Sequence, residues 1–134
     1  MAVNGANGGL VSITAEPLMP SMFGAVWIGA IGGVLVVLTI PLLDKFKIDD
    51  VVGAIPAHLV CGIWGTMDVP VYGDASFLGQ FVGVALTGIF VSAASIIVWY
   101  ALKLTIGVRV SEEEEQLGLD RSDTGVGAYP EFAS

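Results

Sequence analysis

Charge is what this sequence has least of. Only 13% of its 134 residues are Asp, Glu, Lys or Arg, against roughly a quarter in an ordinary soluble domain. Lys and Arg together number five and never cluster, which excludes the basic footprint of a nucleic-acid binder. Cysteine occurs once, as Cys61, so an internal disulfide is impossible, and no second set of ligands points to a metal or other cofactor. No basic residue precedes the first apolar stretch, and residues 1–10 are rich in Gly and Asn, so a secretory signal is not expected. Ser12, Thr14 and Thr66 have no orienting acid in their own segments. A nucleophile–base pair is therefore missing, and the chain does not read as an enzyme. Histidine also occurs once, as His58.

What is present is apolar length. Residues 22–43 and 77–102 carry no charge, and 51–67 carry none except potentially His58. A helix needs about 20 apolar residues to cross roughly 30 Å of hydrocarbon. Two runs meet that length and the middle one is slightly short. A soluble core helix is the alternative, but a chain this small has too little polar surface to cover three of them. The expected fold is all-α and polytopic in a lipid bilayer. It has the end of one helix at 3–15, spans at about 22–43, 51–67 and 77–104, and a short tail helix. The membrane part is 1–106 and the tail 107–134. Gly29 and Gly33, with Ala25 one turn earlier, place small residues on one face of the first span and permit close helix contact.

Lys45 and Lys47 precede the second span, Lys103 and Arg109 follow the third, and the loop 68–76 has no basic residue. All membrane-flanking positive charge thus falls on one side, which the positive-inside rule makes cytoplasmic. Residues 44–50 and 107–134 are expected inside the cell, at its inner (plasma) membrane, and 68–76 outside. The net charge of −8 belongs largely to the tail, where seven of the thirteen acids follow Gly107. Within it, Ser111 and Glu114 have the spacing of a capping box, four glutamates suit the positive end of a helix dipole, and Gly118 is a plausible stop.

His58 is the residue with the most chemical content. An ionisable group inside a span is costly and usually faces a protein interior or an aqueous path. At helical spacing it shares a stripe of small residues with Ala54, Cys61, Gly62 and Gly65. That stripe admits a second backbone, with His58 in an interhelical hydrogen bond, or it leaves a narrow lumen lined by the imidazole. A neutral imidazole offers one donor and one acceptor, which suits a small hydrogen-bonding solute such as ammonia or water.

Three blocks of sequence carry a resemblance. Residues 49–66, DDVVGAIPAHLVCGIWGT, resemble the penultimate pore helix of the Amt/Mep/Rh ammonium transporters, in which an acidic pair opens the segment and a histidine precedes Val-Cys-Gly-Ile. Residues 3–14, VNGANGGLVSIT, are similar to an earlier helix of that family, and 107–129 to its cytoplasmic tail. The resemblance implies ammonium or ammonia transport through a narrow pore in each subunit of a homotrimer. It makes His58 the second of two stacked pore histidines, with Ala54 and Thr14 lining the same path. A PII-type signalling protein is the partner it implies at the tail. The other histidine, the aromatic gate and the outer recruiting site belong to a part of the family's sequence that has no counterpart here. The chain therefore reads as a fragment of a longer transporter, not transport-competent alone. Asn7, Asp68, Thr124 and Gly127 depart from the family's pattern. Two other possibilities stay open. One is a small membrane interaction protein that associates with full-length transporter subunits and regulates them through its tail. The other is a structural bundle that simply buries His58.

Overall fold

The computed structural model describes residues 1–18 and 20–128. Tyr129 and residues 130–134, which complete the expected tail, lie outside the described residues, as does Met19. The described chain is all-helical: α1 (Ala2–Ile13), α2 (Met22–Lys45), a π-helical turn (Ile55–Val60) running directly into α3 (Cys61–Tyr72), α4 (Phe77–Thr105), α5 (Glu112–Leu117) and α6 (Leu119–Thr124). Two helices, α2 and α4, are long and apolar enough on their own to cross a membrane. At 24 and 29 residues they reach about 36 and 43 Å. The chain divides into two compact units, Met1–Gly88 and Ile89–Ser134, with the boundary inside α4.

In the first unit α1 packs on α2 and on the π-turn and α3. Its contact with α2 is antiparallel and made of glycine on glycine. Gly5 lies against Gly33, Gly8 against Gly32, and Gly9 against Gly29, where a Cβ added to Gly9 would stand 3.1 Å from the Gly29 carbonyl oxygen. Residues without side chains let two backbones approach, which is how helices gain van der Waals contact in lipid. Against α3 the direction is parallel: the Asn4 side chain bonds the Val52 carbonyl, and Ser12 meets Gly65. A small core forms where the three segments meet. It holds Ile28 and Val36 of α2 and Ser12 of α1, together with Ala57, Cys61 and Val69.

The Cys61 thiol donates to the Gly32 carbonyl at 3.3 Å, and Trp64 Nε1 donates to the Ile28 carbonyl at 3.2 Å. Ser12 donates to the Gly8 carbonyl at 2.8 Å. Its hydroxyl therefore needs no water in a site that is 2% exposed.

The second span differs from the expected 51–67 at both ends. It begins later, because Gly53 sits at φ +76, a left-handed conformation that places 51–53 in a turn before the helix. It ends later, because the acid that closes the apolar run, Asp68, does not close the helix. Asp68 and Val69 are buried, so packing carries the helix on past Pro70 to Tyr72. The connection expected at 68–76 is thereby shortened to 73–76. Helix α2 likewise continues through Lys45, into the turn expected at 44–50. Helix α4 starts with the Ser76 hydroxyl accepting from Gly79 N–H at 3.0 Å, and no residue along it is buried.

In the second unit the tail forms two short helices rather than one. The capping box is complete, with Glu114 N–H donating to the Ser111 hydroxyl and Ser111 N–H donating to the Glu114 carboxylate at 2.8 Å. Gly118 at φ +95 ends α5 and opens α6. Exposed Arg109 pairs with Glu115 at 2.8 Å, a contact worth little in water.

The Ser111 hydroxyl, and then its N–H, hold the Glu114 carboxyl below the ordinary glutamate range. A folded-state value depressed in this way adds stability above the unfolded-state value and loses it as pH falls through the folded one. The α5 13Cα shifts are therefore expected to persist as pH drops through the normal glutamate range and to collapse only below it. In Ser111→Ala the collapse should move up into that range. An unchanged collapse in the variant would contradict the assignment.

Candidate functional site

Helix starts leave backbone groups without partners, and a start inside an apolar segment has to satisfy them from nearby side chains. At the entry to the π-turn each group can be followed. Ala54 N–H donates to Asp50 Oδ1 at 2.9 Å and Ile55 N–H to Asp50 Oδ2 at 2.7 Å. Residue 56 is proline and has no N–H, so the Val52 carbonyl four residues earlier receives no helical bond. The Asn4 side-chain amide of α1 donates to that carbonyl at 3.1 Å. Ala57 N–H returns to the Gly53 carbonyl at 3.1 Å. One carboxylate and one amide thus complete the start of the helix.

His58 lies two residues after Pro56, inside the π-helical turn. The turn closes with Cys61 N–H bonding the Pro56 carbonyl five residues back, a spacing wider than the α-helical four. Such turns are rare and occur often at functional sites. Pro56, Ala57 and Cys61 are buried, whereas His58, Leu59 and Ala54 are exposed. The imidazole therefore lies on the outward face of the bundle, with Ala54 on the preceding turn.

The stripe of small residues around His58 splits between two surroundings. Cys61 and Gly65 face the packed side, where a Cβ on Gly65 would collide with the Ser12 backbone carbonyl. Gly62 has open space, with nothing within 4 Å of an added Cβ. The reason is angular: positions 61 and 62 lie on opposite flanks of the His58 direction, about 100° apart at 3.6 residues per turn. One flank packs and the other stays open beside His58.

Thr14 is not brought to the same level. Helices α1 and α3 run in parallel and Ser12 is level with Gly65, seven residues beyond His58 and so about 10 Å along the axis. Thr14 follows Ser12, is exposed, and donates its hydroxyl to the Val11 carbonyl at 2.7 Å. Ala54 and His58 therefore form one neighbourhood and Thr14 another.

Asn4 is a functional candidate that residue-type reasoning passed over, and Asp50 entered it only as half of the acidic pair that opens the segment. For Asn4 the available signal was Pro56: a proline two residues into a helix leaves a carbonyl that some neighbour must cover.

Residues 1–129 match the sequence model of the Ammonium Transporter Family. The ammonium transporter Amt1 of Haloferax mediterranei is 38% identical over 135 residues, covering 96% of this chain and 26% of that protein. The ammonium transporter Amt2 of Archaeoglobus fulgidus is 33% identical over 153 residues, covering 98% of this chain and 33% of its own length. The ammonium transporter of Bacillus subtilis is 34% identical over 145 residues, with 96% of this chain and 36% of the relative covered. This chain spans about a quarter to a third of the length of these curated relatives.

Proposed function

The chain belongs to the Ammonium Transporter Family, and on that footing we propose that it supplies one wall of an ammonium- or ammonia-conducting path across the bilayer, with His58 as a pore imidazole. The observation that carries this is the placement of His58: the sole histidine, in a stretch with no other charged residue from 51 to 67, faces away from its own bundle. A polar ring on the outward face of an apolar cluster needs a polar partner or an aqueous path beside it.

Moving bare ammonium through hydrocarbon carries the desolvation penalty of a full charge. A neutral imidazole reduces that burden. It accepts from an N–H of the solute or donates to its lone pair, so the solute can pass as ammonia once the cation has given its proton to water at the mouth of the path. Ala54, one turn before, adds no bulk beside the ring, and open Gly62 leaves room on the following turn. Thr14 contributes at a separate level, near the end of α1.

Residues 44–50 and 107–134 then face the cytoplasm and 73–76 the outside, because Lys45, Lys47, Lys103 and Arg109 belong on the inner side. We extend the same proposal to assembly as a homotrimer and to docking of a PII-type protein at the tail, which the resemblance to the family implies.

A single histidine on one wall does not enclose a path, so this chain alone is expected not to transport. Vesicles containing only the 134-residue chain should take up methylammonium no faster than protein-free vesicles. A chimera in which the chain replaces the matching part of a relative should restore uptake. A folded, membrane-inserted chimera that does not conduct would contradict the proposal.

A further inference from the structure

The entry to the π-turn is held at two points by side chains remote from the imidazole. The Asp50 carboxylate spans the N–H groups of Ala54 and Ile55 at 2.9 and 2.7 Å, using both oxygens. The Asn4 amide reaches over from α1 to the Val52 carbonyl at 3.1 Å. Between these ties lies Gly53, buried and at φ +76, where an added Cβ would strike the Asn4 amide. The loop 50–53 therefore has little freedom, and it leads without a break into the turn carrying His58. We propose that Asp50 is a positioning residue for His58, with Asn4 as its second tie: together they fix the register in which the π-turn starts, and hence the direction of the imidazole.

The physical argument concerns alternatives. A helix whose first N–H groups are unpaired can start one residue earlier or later. Because a wide π-turn can take up one residue before the packed helix α3, such a slip turns the side chains of the turn by about 100° while α3 keeps its register. His58 is only four and three residues beyond the two N–H groups that Asp50 holds. A slip would carry it away from Ala54 and Gly62 and toward the face that packs on α1 and α2. An N-terminal carboxylate holding both N–H groups opposes that slip directly. Asn4 adds to this because the Val52 carbonyl, left free by Pro56, otherwise has no protein donor to fix the turn.

The inference rests on His58 being the pore group, and its test reads the ring's orientation without reading flux. The full chain, 15N-labelled at histidine and tryptophan and reconstituted in lipid bilayers, is compared with Asp50→Ala, Asp50→Asn and Asn4→Leu by NMR. Trp64 Nε1, bonded to the Ile28 carbonyl, reports whether the bundle is intact. The expected result for Asp50→Ala is loss of the single set of His58 ring signals, replaced by shifted or multiple sets, with the Trp64 signal unmoved. Asp50→Asn keeps one acceptor oxygen and should move His58 less, and Asn4→Leu should move it in the same sense. His58 signals that stay at their original positions in Asp50→Ala would overturn the proposal. So would Trp64 and His58 moving together in all three variants, since Asp50 would then merely support the bundle. If His58→Ala leaves flux intact, the proposed function fails while this result stands, so the two failures are distinguishable.

Discussion

Gly65→Leu is expected to separate α1 from α3 and to unfold the first unit. The obstacle is backbone: even a single added carbon at Gly65 would overlap the Ser12 carbonyl, which no rotamer change can move aside. Ser12 is itself fixed, since its hydroxyl donates to Gly8 and a Cβ on the facing Gly32 would strike that hydroxyl. Overpacking a tight contact costs roughly 1–3 kcal/mol, and a rigid neighbour puts Gly65→Leu at or above the upper end of that range. The same substitution three residues earlier makes the comparison sharp. Gly62 has nothing within 4 Å, and Leu is a better helix former than Gly by somewhat under about 1 kcal/mol. Gly62→Leu should therefore leave the denaturation midpoint in detergent unchanged or raised, while Gly65→Leu lowers it steeply and releases the Trp64–Ile28 bond. Equal midpoints for the two variants would contradict the packing described. Gly62→Leu carries a second consequence, because its new side chain occupies the open flank beside His58. In the conducting chimera it should reduce flux at undiminished stability.

Much of this arrangement was legible in the residues. Uncharged runs locate α2 and α4 because a long stretch without charge has few other uses in so small a chain. The Ser111 and Glu114 spacing gives the capping box because that motif is local and needs no tertiary partner. Gly29 and Gly33 announce close contact, and the glycines of α1 that meet them complete it. The second span was harder to delimit, for two physical reasons. Asp68 reads as the end of an apolar run, yet burial keeps it inside the helix. Gly53 reads as one more small residue, yet its left-handed backbone sets the start.

The surroundings of His58 were less accessible still. A helical wheel assumes uniform winding and puts Cys61, Gly62 and Gly65 on one stripe. In the structure one flank packs and the other stays open, a distinction that depends on where α1 lies. Asn4 belongs to this class of residue. Its partner is a carbonyl 48 positions away, and only the missing N–H of Pro56 hints that the carbonyl needs one.

The central claim is that His58 forms part of the conducting path, and its removal tests that most directly. In the chimera, wild-type and His58→Ala proteins are compared for methylammonium uptake at matched membrane abundance. Alanine takes away the donor and acceptor without disturbing the buried face, since His58 is exposed while Ala57 and Cys61 make the contacts. Losing one partner of a desolvated polar group costs about 1–3 kcal/mol. That corresponds to a fall in uptake on the order of 10- to 100-fold. A fall of that size at unchanged midpoint is the predicted result, and uptake at the wild-type rate would contradict the account.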